Sequence, residues 1–112
     1  MKALLDRSER DERAALAVEM FCYHARKAIG ALVAALGGID TLVFTGGIGQ
    51  NAPPVRDRIC SSLGYLGIRL DDARNRDSRV VVSSDDSPCT VRVVPAGEET
   101  MIARYTQRVI FG

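Results

Sequence analysis

Chemistry in this 112-residue sequence concentrates in two places. The first is Gly46-Gly47-Ile48-Gly49-Gln50-Asn51, which follows the apolar run Thr41-Leu42-Val43-Phe44-Thr45 and precedes Ala52-Pro53-Pro54-Val55. Glycines let backbone N–H groups approach an anion closely, and a helix N-terminus favours negative charge, so the turn suits a phosphate or a nucleotide. Gly46, Gly47 and Gly49 would serve equally to shape a tight strand-to-helix turn, and local sequence leaves both readings open. It is not a P-loop: the Lys-Ser/Thr pair that reaches phosphates and magnesium is absent, with Asn51-Ala52 and two prolines in its place. Gly47-x-Gly49-x-x-Ala52, with Asp71 about 20 residues further on, also fits the permissive dinucleotide fingerprint, which makes an NAD-binding Rossmann-like module the alternative. Against it, a long helical pattern precedes the turn and Pro53-Pro54 interrupts the helix start.

The second place is Glu98-Glu99, which follow Gly97 after the Val91-Arg92-Val93-Val94 run. A carboxylate at the start of a helix near a sheet end could orient magnesium, and it could equally do no more than stabilise the helix dipole. The single histidine, His24, has no companion from which a catalytic group could be assembled. Cys22, Cys60 and Cys89 show neither a C-x-x-C pair nor metal-ligand spacing, and are expected to fill the core as small apolar side chains. Charge alternates in sign from Arg69 to Arg79, which describes a solvated loop rather than a basic patch.

These residues need elements to hold them. Ser8 followed by Asp11 has capping-box spacing, and Ala17, Phe21, Ala25, Ile29, Leu32 and Leu36 then recur every three or four residues, predicting one long helix that Gly37-Gly38 ends. Gly30 inside it suggests close approach of another backbone. Thr41 to Thr45 is too short for a helix and apolar without alternation, as is a parallel strand buried on both faces. Asn51 or Ala52 can cap a second helix that has Pro53 in its first turn and Val55, Ile59 and Leu63 on one face, closed by Gly64 and Gly67. A short Ile68–Leu70 strand follows, then Val80–Val82 and Val91–Val94 as strands flanking a turn at Ser84–Pro88. Glu98 to Ile110, with Met101, Ile102, Tyr105 and Val109 at helical spacing, predicts a terminal helix.

Composition limits the functions available. Fifteen Lys and Arg against fourteen Asp and Glu give a net charge of +1, which supplies no field to gather nucleic acid or anionic lipid. No apolar run approaches the roughly 20 residues of a membrane span, and the cysteine pattern suits a reduced, cytoplasmic protein.

Taken together, Asp40 to Asn51, Pro54-Val55-Arg56, Leu66-Gly67-Ile68 and Val94-Pro95 ahead of Glu98-Glu99-x-Met101-Ile102-Ala103-Arg104 closely resemble the C-terminal end of the acetate kinase family, in order and spacing, over nearly the whole chain. That family shares a superfamily with sugar kinases, actin and the heat-shock ATPases. The resemblance implies an α/β fold, part of a ribonuclease H-like (actin-like ATPase) domain with a central, mostly parallel sheet flanked by helices. It implies phosphoryl transfer between ATP and acetate with Mg2+, giving acetyl phosphate and ADP. Gly47, Ile48, Gly49, Gln50 and Asn51 then correspond to the nucleotide-binding positions on the adenosine side, and Glu98 to the magnesium-associated glutamate. Gln50 stands where the family usually has glutamate, Gly46 where alanine is common, Ala96-Gly97 where a Thr-Asn or Thr-Asp pair is usual, and Lys2 where it has arginine.

By the same resemblance the family's phosphate loops, acetate pocket and phosphoryl-stabilising residues would lie upstream of Met1. Residues 1–112 are therefore expected to be a single domain, the nucleotide-side fragment of an acetate kinase, without activity alone. A natural truncation, a split gene or an excised piece would each account for it, and a homodimer or a complementary N-terminal chain is the expected partner. A non-catalytic remnant that folds only with such a partner is the remaining alternative.

Overall fold

The computed structural model describes residues 2–46, 52–94 and 108–111. Helices α1 (Lys2–Ser8) and α2 (Glu12–Leu36) lead into strand β1 (Thr41–Thr45). Helices α3 (Pro53–Cys60) and α4 (Asp72–Arg76), with a 3-10 turn at Gly64–Leu66 between them, precede β2 (Thr90–Val94) and β3 (Arg108–Phe111).

The three strands form a sheet in the order β2-β1-β3, with both pairings parallel. The central strand is the predicted one. Its apolar, unalternating sequence fits its position: Leu42, Val43 and Phe44 are all fully buried, because strands pair with both edges and both faces are covered. Leu42 and Phe44 share one face with their register partners Val91 and Val93. That face packs on Val18, Cys22, Ala25, Ile29 and Val33 of α2 and on Val55, Ile59 and Cys60 of α3.

Several expectations shift by a residue or an element. Asp11, not Ser8, caps α2: its carboxylate accepts from the Arg13 N–H at 2.9 Å, while the Ser8 hydroxyl donates to the Leu5 carbonyl at the end of α1. The buried stripe of α2 runs through Ala14, Val18, Cys22, Ala25, Ile29 and Val33, so Leu32 and Leu36 are exposed. Alanine-rich helices carry apolar residues around much of their circumference, and periodicity then leaves the phase open. Gly37 ends α2 as predicted, at φ 80°. Gly30 has no backbone against it; a Cβ there would meet only the Tyr65 hydroxyl, at 4.0 Å.

The charged stretch after Leu70 is not simply a loop. Asp71 caps α4 by accepting from the Arg74 N–H, and Asn75 is buried. Val80–Val82 runs antiparallel to β2 through the single bridge Val81–Arg92, with Val82 N–H donating to Val91 O and Val93 N–H to Val80 O, too briefly to be a strand. Ile68 and Leu70 likewise make isolated bridges, to Cys89 and Ser83. The predicted terminal helix is overturned at its end: residues 108–111 form β3, whose Arg-Val-Ile-Phe sequence suits a strand and whose pairing satisfies the second edge of β1. The rest of that expected helix lies outside the described residues.

Candidate nucleotide site

Parallel register sets the geometry of the site. Thr45, the last residue of β1, pairs with Val94, the last of β2, so the two carboxyl ends stand side by side. The carboxyl end of a parallel sheet is where ligands of open α/β sheets collect, and in sequence the chain continues from these two ends into 47–51 and 95–98. Gly47, Ile48, Gly49, Gln50, Asn51 and Glu98 themselves lie outside the described residues. Gly46, which opens the turn, is at φ 75°, a left-handed conformation that favours glycine.

The chain re-enters the described structure at Ala52, which stands at the N-cap of α3 with Pro53 in the first turn, as expected. Ala52 offers no side-chain cap, Pro53 and Pro54 have no N–H, and the Val55 and Arg56 N–H groups both donate to Ala52 O, at 3.0 and 3.2 Å. Residues 53–56 therefore have no spare donor for a phosphate, and the helix-terminus part of the anion argument falls away.

The dinucleotide reading would put pyrophosphate on that helix terminus, where Pro53 and Pro54 have no N–H and that of Val55 is taken by Ala52 O. Asp71, the acidic residue of that fingerprint, caps α4.

Sequence reasoning missed one buried polar cluster, which ties the start of α3 to α4. The Arg56 guanidinium is fully buried; its Nε donates to Asn75 Oδ1 at 2.7 Å, and its Nη2 to the Asn75 carbonyl at 2.8 Å and to Ser78 Oγ at 2.9 Å. Asn75 Nδ2 in turn donates to the Pro53 carbonyl at 3.0 Å. Burial pulls the Arg56 pKa down, with Cys60 opposing. The signal was available as an arginine inside an otherwise apolar helix face, but an arginine on a short helix is ordinarily solvated.

The three cysteines are free and buried. Burial pushes the Cys60 thiol up to about 12 and the Cys89 thiol up to about 11, and raises that of Cys22. Such thiols are neutral packing groups. His24 is exposed on α2, edge-on to the Tyr23 ring at 5.6 Å, away from the sheet end. Among the described residues no group of three or more His, Cys, Asp or Glu could hold a metal ion, so the magnesium expectation rests on Glu98. No helix among them is long and apolar enough to cross a membrane.

Comparison with known proteins bears on this arrangement. The sequence profile of the Acetokinase family matches residues 1–104. The acetate kinase of Solibacter usitatus is 46% identical over 117 residues, covering 100% of this chain and 28% of the relative. The crystal structure of Porphyromonas gingivalis acetate kinase superposes with a TM-score of 0.79 at 42% identity, over 90% of this chain and 26% of that one. A propionate kinase from Francisella tularensis superposes with a TM-score of 0.78 at 34% identity, over 92% and 27%. The chain thus spans about a quarter of the length of the proteins it matches. The fold is accordingly part of a ribonuclease H-like, actin-like ATPase domain.

Proposed function

This chain belongs to the acetokinase family, and from that premise we propose that it forms the C-terminal, nucleotide-side portion of an enzyme that moves phosphoryl between ATP and acetate. The observation that supports the proposal is the side-by-side ending of β1 at Thr45 and β2 at Val94, the residues from which the chain continues towards Gly47 to Asn51 and towards Glu98. Gly47, Ile48, Gly49, Gln50 and Asn51 contact the adenosine side of the nucleotide. The uncapped, proline-led start of α3 supports that side over the phosphates, since it has no donors to spend on them.

Glu98 is the residue here that would associate with Mg2+, which would neutralise charge on the nucleotide's phosphates. The acceptor is a short-chain carboxylate: acetate by the first relatives, with propionate named for one structural neighbour. Holding the transferring phosphoryl and the acceptor falls to parts of the enzyme outside these residues, so the 112-residue polypeptide alone does not turn over. Its free, buried thiols suit the cytoplasm.

Calorimetric titration of the chain with ATP, alongside the Gly49→Val variant and with NAD as comparator, tests the site. ATP binds weakly and NAD no better than ATP, and Gly49→Val loses the binding by placing a branched side chain where backbone must approach the ligand. A Gly49→Val variant that binds ATP as the parent does would return the glycines to turn-shaping alone.

A further inference from the structure

We infer that Arg56 and Asn75 are positioning residues for the nucleotide turn: a closed side-chain clamp fixes the point at which the turn re-enters helix α3. The inference rests on the reading of 47–51 as the nucleotide contact, and adds to it the device that holds that contact in place.

The clamp follows from what the helix lacks. An α-helix start is ordinarily secured by a capping side chain and by first-turn N–H groups, but Ala52 has no side-chain oxygen and Pro53 and Pro54 have no N–H. Beyond the two bonds to Ala52 O, a loop of hydrogen bonds from outside the helix adds restraint. Arg56, one turn in, donates through Nε to Asn75 Oδ1 at 2.7 Å; Asn75, on α4, donates back through Nδ2 to the Pro53 carbonyl at 3.0 Å. Both side chains are buried, so water does not compete for these bonds.

Two further contacts hold the far side of the clamp. Arg56 Nη2 donates to the Asn75 carbonyl at 2.8 Å and to Ser78 Oγ at 2.9 Å, and Ser78 sits at φ 48°, a left-handed conformation uncommon for a residue with a side chain. The chain is thus bent after α4 so that it wraps the guanidinium. Of all these bonds, only the one from Asn75 Nδ2 reaches the first turn of α3, two residues after Asn51.

That asymmetry makes the role testable. Asn75→Asp keeps an acceptor for Arg56, now a charged one, but replaces the donor facing Pro53 with an oxygen, so the bond it breaks is the one at the helix start. Ser78→Ala trims the far side and leaves the Pro53 contact intact. With both variants shown folded by circular dichroism, amide hydrogen exchange at Val55 and Arg56 and the Kd for ATP are measured on the 112-residue chain. The inference predicts at least fivefold faster exchange at those two amides and at least fivefold weaker ATP binding for Asn75→Asp, with Ser78→Ala within twofold of the parent in both. Should Asn75→Asp not fold, the neutral and shorter Asn75→Ser takes its place with the same expectation.

Equal behaviour of the two variants would overturn the clamp. Gly49→Val, run beside them, separates the two ideas. If it leaves ATP binding intact the nucleotide reading fails, and if it abolishes binding while Asn75→Asp changes neither readout the positioning role fails.

Discussion

Arg56 is the largest fully buried side chain among the described residues, and its guanidinium donates to the Asn75 amide oxygen, the Asn75 carbonyl and the Ser78 hydroxyl. Removing it orphans those groups: Arg56→Met is expected to lower stability by about 1–3 kcal/mol, seen as a lower urea midpoint at unchanged slope. An unchanged midpoint would mean that Asn75 and Ser78 find other partners. The buried thiols make a second prediction, in pH. The folded Cys60 thiol is raised from 9.0 to about 12 and that of Cys89 to about 11, with burial the leading cause in each. The fold prefers the neutral thiol, so its contribution is complete below about pH 9 and is lost as pH rises towards 12, where the unfolded chain ionises first. Urea midpoints should therefore fall across that window, and Cys60→Ala should fall less steeply than the parent. Parallel slopes would show that Cys60 is not the group responsible.

Helices and strands differ in how openly the sequence declares them. Thr41–Thr45 was legible because a five-residue apolar run with no room for a helix fits little besides a buried strand, and Gly37 because a glycine after the last turn is an ordinary helix stop. Residues 108–111 were not: Val109 continues a helical spacing begun at Met101, and only pairing with β1 makes a strand the better use of Arg108 to Phe111. The phase of α2 was hidden by apolar residues on both faces. The pairing of Arg56 with Asn75 was not legible, because it spans 19 positions and needs α4, which reads as a solvated charge run. Pro53 in the first turn of α3 was legible, while the donor-poor character of that helix start required the hydrogen bonds. Glycine positions give a prediction at this scale. Gly37 and Gly67 are both left-handed, at φ 80° and 83°, but a Cβ on Gly67 would lie 3.2 Å from Pro88 Cβ and one on Gly37 meets nothing within 4 Å. Gly37→Ala should cost about 1–2 kcal/mol from conformation alone, and Gly67→Ala measurably more. Equal losses in thermal unfolding would mean that Pro88 yields freely.

At the scale of the molecule, the chain spans about a quarter of its acetate kinase relatives, and the proposed function divides the labour: these residues would hold the nucleoside, and the rest of the enzyme the phosphoryl and the acceptor. The purified chain should form no acetyl phosphate above background. Adding a complementary portion of an acetate kinase should restore turnover, which Glu98→Gln then lowers while moving the magnesium dependence to higher concentration. Turnover by the chain alone would refute this division, and an unaffected Glu98→Gln would leave Glu98 a helix-dipole residue. Its most direct test is calorimetry on the 112-residue chain without magnesium, comparing adenosine, ATP and inorganic tripolyphosphate. A site on the adenosine side, beside a helix start with no spare donors, predicts that adenosine binds within about tenfold of ATP, a difference of about 1.4 kcal/mol, and that tripolyphosphate does not bind. Tripolyphosphate binding as tightly as ATP, with adenosine silent, would make the turn a phosphate cradle and contradict the account.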